Sequence, residues 1–390
     1  MNINAIKWVG IGALVASAFG CSGAPADSGA GAGGSGNSSG ASMSGSSSGS
    51  ASGNSGSGST SSGGSSGSSS SGKGPSSGGT SGSSGSGSGA SAGASSGTSA
   101  GDAGTTTAGG VTTSTGPFTD ADIAYSVTLT MDPFMVPAGQ EIFMCQTFAN
   151  PFKGQQADIK TYQLNMAQGS HHMFLFYQSS ATSSGVASCP QGGLTFAPFT
   201  FSAQTQKATQ TYPQGVGATI PTSLGFVLNV HYINSGSKPI QGSVQITMFI
   251  AKPGIITQHA GVIFLNQLSL SVPAPMQPYT SSRSFTLPQD VYILSSGSHM
   301  HQRATNFVAT TSTGTTLFQT TQWAEPPPQT YSPPLHLTSG TSITWACTYL
   351  NDTGAALSFG EFAATNVMCI SESSFYPVSN VANPVISSMQ

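Results

Sequence analysis

The sequence predicts an all-β protein, and two observations carry that expectation. Apolar and polar residues alternate with a period of two in several runs. Examples are YSVTLTM from Tyr125, where Tyr125, Val127, Leu129 and Met131 share one face, FVLNVHYIN from Phe226 and SVQITMFI from Ser243. Clusters of Gly, Pro, Ser and Asn separate such runs, and no long apolar stripe has helical spacing. Short strands punctuated in this way pack face to face, so the expected architecture is a pair of sandwiches or jelly rolls in tandem.

The elements follow from the amino terminus. Lys7 precedes an apolar run from Trp8 to Phe19 that ends at AFGCSG. About a dozen apolar residues are too few to span a membrane and read as the hydrophobic core of an export signal. Cys21 fits a bacterial lipobox, with Ala18 and Phe19 departing from its usual Leu and small residue. Residues 1–21 are therefore expected to be a signal peptide with a lipidated Cys21 that anchors the chain in the cell envelope; simple secretory cleavage is the alternative.

Residues 22–116 are Ser, Gly, Ala and Thr with almost no charge or large apolar side chain, a composition that cannot offset the entropy of ordering. A Gly/Ser coil of this length is a disordered linker with a root-mean-square reach of roughly 50 to 60 Å. From Pro117 onward about 270 residues remain, enough for two ordinary domains. AKPGIITQ interrupts the strand pattern after Ile250, which divides the rest into a first jelly roll over 117–253 and a second over 254–390.

Nine Lys and Arg stand against twelve Asp and Glu, with no basic cluster, which argues against a nucleic-acid partner. Besides Cys21 there are Cys145, Cys189, Cys347 and Cys369, an even number in a chain bound for an oxidising compartment, so two disulfides are expected. Of the three possible pairings, local order favours Cys145 with Cys189 and Cys347 with Cys369. No Cys-x-x-Cys pair suggests a four-cysteine zinc site.

The seven histidines are 171, 172, 231, 259, 299, 301 and 336, and five of them fall in SHHM, NVHYIN and SHMHQR. A lone strand histidine is ordinarily a hydrogen-bonded structural residue. Five in three clusters point to metal, because imidazole is the commonest neutral ligand for copper and zinc and such sites gather ligands from separate strands. His299 and His301 are two apart and leave the same face of a strand, with Met300 directed the other way. His171 and His172 are adjacent, so both reach one ion only if the strand ends or bulges there, or if one ring binds through Nδ1 and the other through Nε2. His231, on one face of its strand with Asn229 and Ile233, is the expected third ligand. For the second pair a candidate is Met368 in GEFAATNVMCI, although an isolated Met is more often plain core packing; a thioether with two imidazoles would favour copper, Cu(I) above all.

The blocks HHMFLF at His171, LNVHYIN at His231, SHMH at His299, WACTYLNDTG at Trp345 and GEFAATNVMC ending at Cys369 occur in an order and spacing that cover nearly all of residues 117–385. In these blocks the chain resembles the copper type II, ascorbate-dependent monooxygenases, the family of peptidylglycine α-hydroxylating monooxygenase and dopamine β-monooxygenase. The resemblance implies two jelly rolls, each holding one copper, that face each other across an open, solvent-filled cleft. It assigns His171, His172 and His231 to an electron-relay copper and His299, His301 and Met368 to the catalytic copper. It also matches the two disulfides named above. The implied reaction uses dioxygen, with ascorbate as electron donor, to hydroxylate a C–H bond.

The sequence departs from the family at several places. Peptide-amidating relatives carry an Arg two residues before the first histidine of the second site to hold the substrate carboxylate, and here that residue is Gly297. They carry Asn and Tyr after the Met-Cys pair, where this chain has Ile370 and Glu372, and an acidic residue where it has Val367. A peptide carboxy terminus is thus not the expected substrate. His259 and His336 match no ligand position and are read as structural; Glu361 is either a loop-orienting hydrogen-bond acceptor or a solvated carboxylate.

The resulting expectation is an exported, lipid-anchored two-copper monooxygenase acting on a small organic molecule. Two alternatives stand beside it. A copper-buffering surface lipoprotein would hold the metal without turnover. An adhesion or carbohydrate-recognition sandwich with structural histidines would bind little metal.

Overall fold

The structure is a computed structural model that describes residues 109–179, 182–190, 197–274 and 277–390. The expected export signal, Cys21 and the linker as far as residue 108 lie outside these residues. Among the described residues every regular element is a strand, so the protein is all-β. The sheets belong to one compact unit that runs to Gln390.

In the first half, one sheet has the order Gly110–Ser114, Ile123–Thr130, Val244–Ala251, Ala157–Met166, Val216–Ile220 and Gln258–His259, with Lys207–Thr211 also paired to Ala157–Met166. The other has the order Ala187–Ser188, Glu141–Phe148, Leu224–Ile233, Ser170–Ser179 and Phe199–Ala203. Val127, Leu129, Ile159, Leu164 and Ile246 from the first meet Met173, Leu175, Phe226, Leu228 and Val230 from the second in one core, which makes a sandwich.

The second half repeats the arrangement. A sheet ordered Gln329–Leu337, Val291–Met300, Cys369–Tyr376, Gly261–Asn266 and Val385–Met389 shares a core with one ordered Pro278–Thr286, Ser342–Leu350, Ala304–Thr311 and Thr316–Thr320. Trp345, Phe307 and Tyr349 are fully buried there.

Two boundaries differ from the sequence expectation. Gly110–Ser114 lies inside the segment expected to be linker, yet pairs antiparallel with Ile123–Thr130; its Val-Thr-Thr run suits an edge strand. Gln258–His259 lies beyond the expected seam but pairs parallel with Val216 and Gly217 of the first half, so the chain changes sheets after His259.

A third apolar cluster joins the halves. Phe176, Phe199 and Val227 come from the first, and Val262, Phe264, Met368 and Ile370 from the second. Their strands are therefore covered on both faces, which explains why MFLFY and FVLNVHY are almost continuously buried. Both expected disulfides are present. Cys145–Cys189 ties Glu141–Phe148 to the loop after Ala187–Ser188, and Cys347–Cys369 ties the two sheets of the second half together beside Met368.

Candidate metal centre

The histidine pair at 171 and 172 sits at a bulge. His231 pairs with His172 and Tyr232 with Ser170, so His171 is the extra residue in its strand. A bulged residue escapes the alternation of the pleat, and both rings come to lie on the same side of the sheet, 5.3 Å apart. His299 and His301 leave a common face of their strand, while Met300 is fully buried in the core of the second half.

The resemblance implies two ligand sets facing each other across an open cleft. The structure differs. All five rings are buried in one contiguous cluster, with His171 and His299 4.9 Å apart, His172 and His299 4.9 Å, and His172 and His231 4.9 Å. The apolar cluster between the halves brings the two sheets into contact, so the histidines of both halves meet in one group.

Hydrogen bonds fix which nitrogen of each ring is free. His171 Nδ1 is 3.2 Å from the Ala324 carbonyl, His299 Nδ1 2.8 Å from Gln204 Oε1, and His301 Nδ1 3.2 Å from the Asn366 carbonyl. These acceptors place the proton on Nδ1 and leave a lone pair on each Nε2. His231 Nε2 is 2.7 Å from Glu141 Oε1 and its Nδ1 is 3.2 Å from His172 Nε2. His231 Nε2–H donates to the carboxylate, so in the neutral ring His231 Nδ1 accepts from His172 Nε2–H, and His172 keeps its lone pair on Nδ1.

Four buried ring nitrogens then have no protein partner: Nε2 of His171, His299 and His301, and Nδ1 of His172. His171 and His172 thus present different ring nitrogens, one of the ways sequence geometry allows two adjacent histidines to face one ion. His231 has both nitrogens engaged and braces His172 instead of offering a lone pair, a departure from its expected place as a ligand.

One ring nitrogen from each of His171, His299 and His301 lies within 4.8 Å of the others. This triad draws on both expected ligand sets. The three rings are close enough together that they could hold one metal ion. Burial pushes His171 down to about 4 and His301 to about 3, the bonds to Ala324 and Asn366 offsetting part of the effect. Burial, and then the neighbouring imidazoles, hold His172, His231 and His299 well below the ordinary histidine value. The rings are neutral at pH 7, the form that binds metal.

Met368 is buried in the apolar cluster and lines a small recess together with His172, His299, Phe143 and Glu361. Met368 thus shares that recess with two of the five histidines, His172 and His299. His259 bonds to Thr219 at 2.7 Å, and His336 stacks on Tyr292 and faces Asp290 at 3.4 Å. Neither belongs to the cluster.

Sequence reasoning missed Glu141 and Gln204. Gln204, from the first half, orients His299 of the second and also donates to the Ser298 carbonyl. Glu141 holds His231 and accepts from the backbone N–H groups of Ala363 at 2.5 Å and Ala364 at 3.3 Å, in the loop that leads to Met368. No sequence pattern marks either residue, because each acts on a partner far along the chain.

A cavity of about 480 Å³ adjoins the cluster between the halves, with His172 and His299 in its wall. It has the size and mixed lining of a small-molecule site.

No protein-family profile matches the chain, and no curated protein matches it. Among solved structures it is similar to a viral capsid protein described as "Crystal Structure of the STIV MCP", at 12% identity and a TM-score of 0.30, over 65% of this chain and 96% of that one.

Proposed function

We propose that this protein is an exported copper-dependent monooxygenase of the ascorbate-dependent type, hydroxylating a C–H bond of a small organic molecule with dioxygen and a one-electron donor. The observation that carries the reading is the convergence of three neutral, buried imidazoles, His171, His299 and His301, each of which keeps an unpartnered Nε2. A buried polar atom without a partner costs on the order of 1–3 kcal/mol, and four beside one another are poorly explained without a ligand. The motif blocks that resemble the family contain these same residues.

The donor set fits copper. Imidazole suits copper and zinc alike, and the neighbouring Met368 thioether favours copper, which would supply one-electron chemistry toward dioxygen. His171, His299 and His301 would hold the ion, with His172 and Met368 as further donors. The Ala324 and Asn366 carbonyls and Gln204 keep each Nδ1 protonated and so keep each Nε2 available. Glu141 does the same for His172 through His231. Phe143, stacked on His231 at 3.9 Å, and the apolar cluster around Met368 exclude water, and the adjoining cavity holds the substrate. Two disulfides fit an oxidising compartment, and the proposal includes a lipid anchor at Cys21.

The test begins with metal content after loading and dialysis, followed by anaerobic reduction with ascorbate and admission of oxygen in the presence of small amines, aryl compounds and lipids. Tightly held copper and oxygen uptake coupled to a hydroxylated product are expected. Retained copper that reduces but gives no coupled uptake would support the copper-buffering alternative, and failure to retain copper would sink both.

A further inference from the structure

We propose that the cavity beside the histidine cluster binds a small organic cation, its charged nitrogen paired with the Glu372 carboxylate and its apolar body lying toward His299. The inference rests on the monooxygenase reading only for what becomes of the ligand; binding itself requires no metal.

Glu372 lies in the strand Cys369–Tyr376, on the face it shares with Ile370 and Ser374 that looks toward the first half. It is the only carboxylate among the described lining residues, and none of them is a Lys or Arg. Glu372 takes part in no ion pair among the described residues; the hydroxyl of Ser202 donates to it from the opposite wall. One hydroxyl leaves most of the acceptor capacity of a carboxylate unused, and an enclosed charge is costly without a counter-charge. That enclosure pushes the Glu372 carboxyl up to about 7, against the pull of the Ser202 bond.

Room for the cation lies directly beside the carboxylate. Gly297 is the cross-strand neighbour of Glu372, and a Cβ built there would meet only Pro328 Cβ, at 3.7 Å. His299 is two residues further along the same strand, about 7 Å at ordinary strand rise. A nitrogen held at Glu372 thus leaves the length of a short alkyl or aryl body before His299. Phe174, Phe201, Tyr212, Val262 and Leu294 supply an apolar wall for that body. An anionic ligand would meet the carboxylate with no compensating cation.

The test uses the metal-free full chain at pH 7.5, with benzylamine, benzyl alcohol and benzoate as probes of nearly equal shape, followed by titration calorimetry. Benzylamine is expected to bind at least about tenfold more tightly than benzyl alcohol, and benzoate more weakly than either. Glu372→Gln should remove the preference for the amine while the alcohol affinity holds. Gly297→Lys, which sets an internal ammonium beside Glu372, should exclude benzylamine selectively and serves if the first variant does not fold. Equal binding of amine and alcohol, no binding of either, or a preference that survives Glu372→Gln would overturn the cation site. Copper-loaded protein that binds benzylamine but never couples oxygen uptake would retain this site and refute the oxygenase reading. Coupled turnover of neutral molecules alone, with no cation preference, would do the reverse.

Discussion

Glu141 provides a test of the interlock between the halves that does not depend on metal. Its carboxylate has 11% exposure and receives hydrogen bonds from the fully buried His231 at 2.7 Å, from Ala363 N at 2.5 Å and from Ala364 N at 3.3 Å. Glu141→Leu leaves these donors without their acceptor. Each short bond to an ionised acceptor is worth about 1.5–2 kcal/mol, and water at the exposed Ala364 replaces most of the third, so the loss is about 3–4 kcal/mol. About 280 folded residues at about 2.1 cal/mol/K each give an unfolding entropy near 0.6 kcal/mol/K, and the melting temperature should fall by about 5–7 °C. Glu141→Gln keeps one carbonyl acceptor and places an amide N–H₂ against the remaining donor, so roughly half the loss is expected. The assay is scanning calorimetry at a fixed scan rate and pH 7. A Leu variant within about 1 °C of the parent, or a Gln variant no better than Leu, would show that the network contributes nothing to stability.

Two further outcomes follow from other residues. The Glu372 carboxyl is raised to about 7 from an ordinary 4.5, so between those values the folded chain holds a proton that the unfolded chain has released. Stability from this group is therefore lost as pH rises through that window. Glu372→Gln should match the parent near pH 4 and become progressively more stable than it up to pH 8 in urea titrations, whereas a constant difference across that range would contradict the assignment. The disulfides close loops of 44 and 22 residues, Cys145–Cys189 and Cys347–Cys369, so replacing either pair by Ala should cost about 3–4 kcal/mol by loop entropy. A cost below about 1 kcal/mol in the same titrations would show that the unfolded chain gains little freedom.

How much of this was legible in the sequence depends on the range of the interactions involved. Period-two alternation in YSVTLTM and SVQITMFI specifies strands, because the pleat alternates side chains whatever the strand pairs with. The common face of His299 and His301, and the need for a bulge or unlike ring nitrogens at His171 and His172, follow from the same local rule. The disulfide pairing follows from local order along the chain. The five motif histidines were also legible as metal-binding candidates from their clustering alone.

What only the tertiary structure decided is how these pieces meet. The pairing of His171 with His299 and His301 into one triad arises where two sheets are pressed together by Phe176, Phe199, Phe264 and Met368. The removal of His231 from the free lone pairs depends on Glu141, 90 residues away, and the setting of His299 on Gln204, 95 residues away. Glu372 becomes a candidate cation partner only because Gly297 lies across the ladder from it and Ser202 faces it from the other half. Local sequence dictates which way a side chain leaves its strand. Which side chains then share a buried space is set by sheet packing, and residues far apart in the chain carry no periodic signal of it.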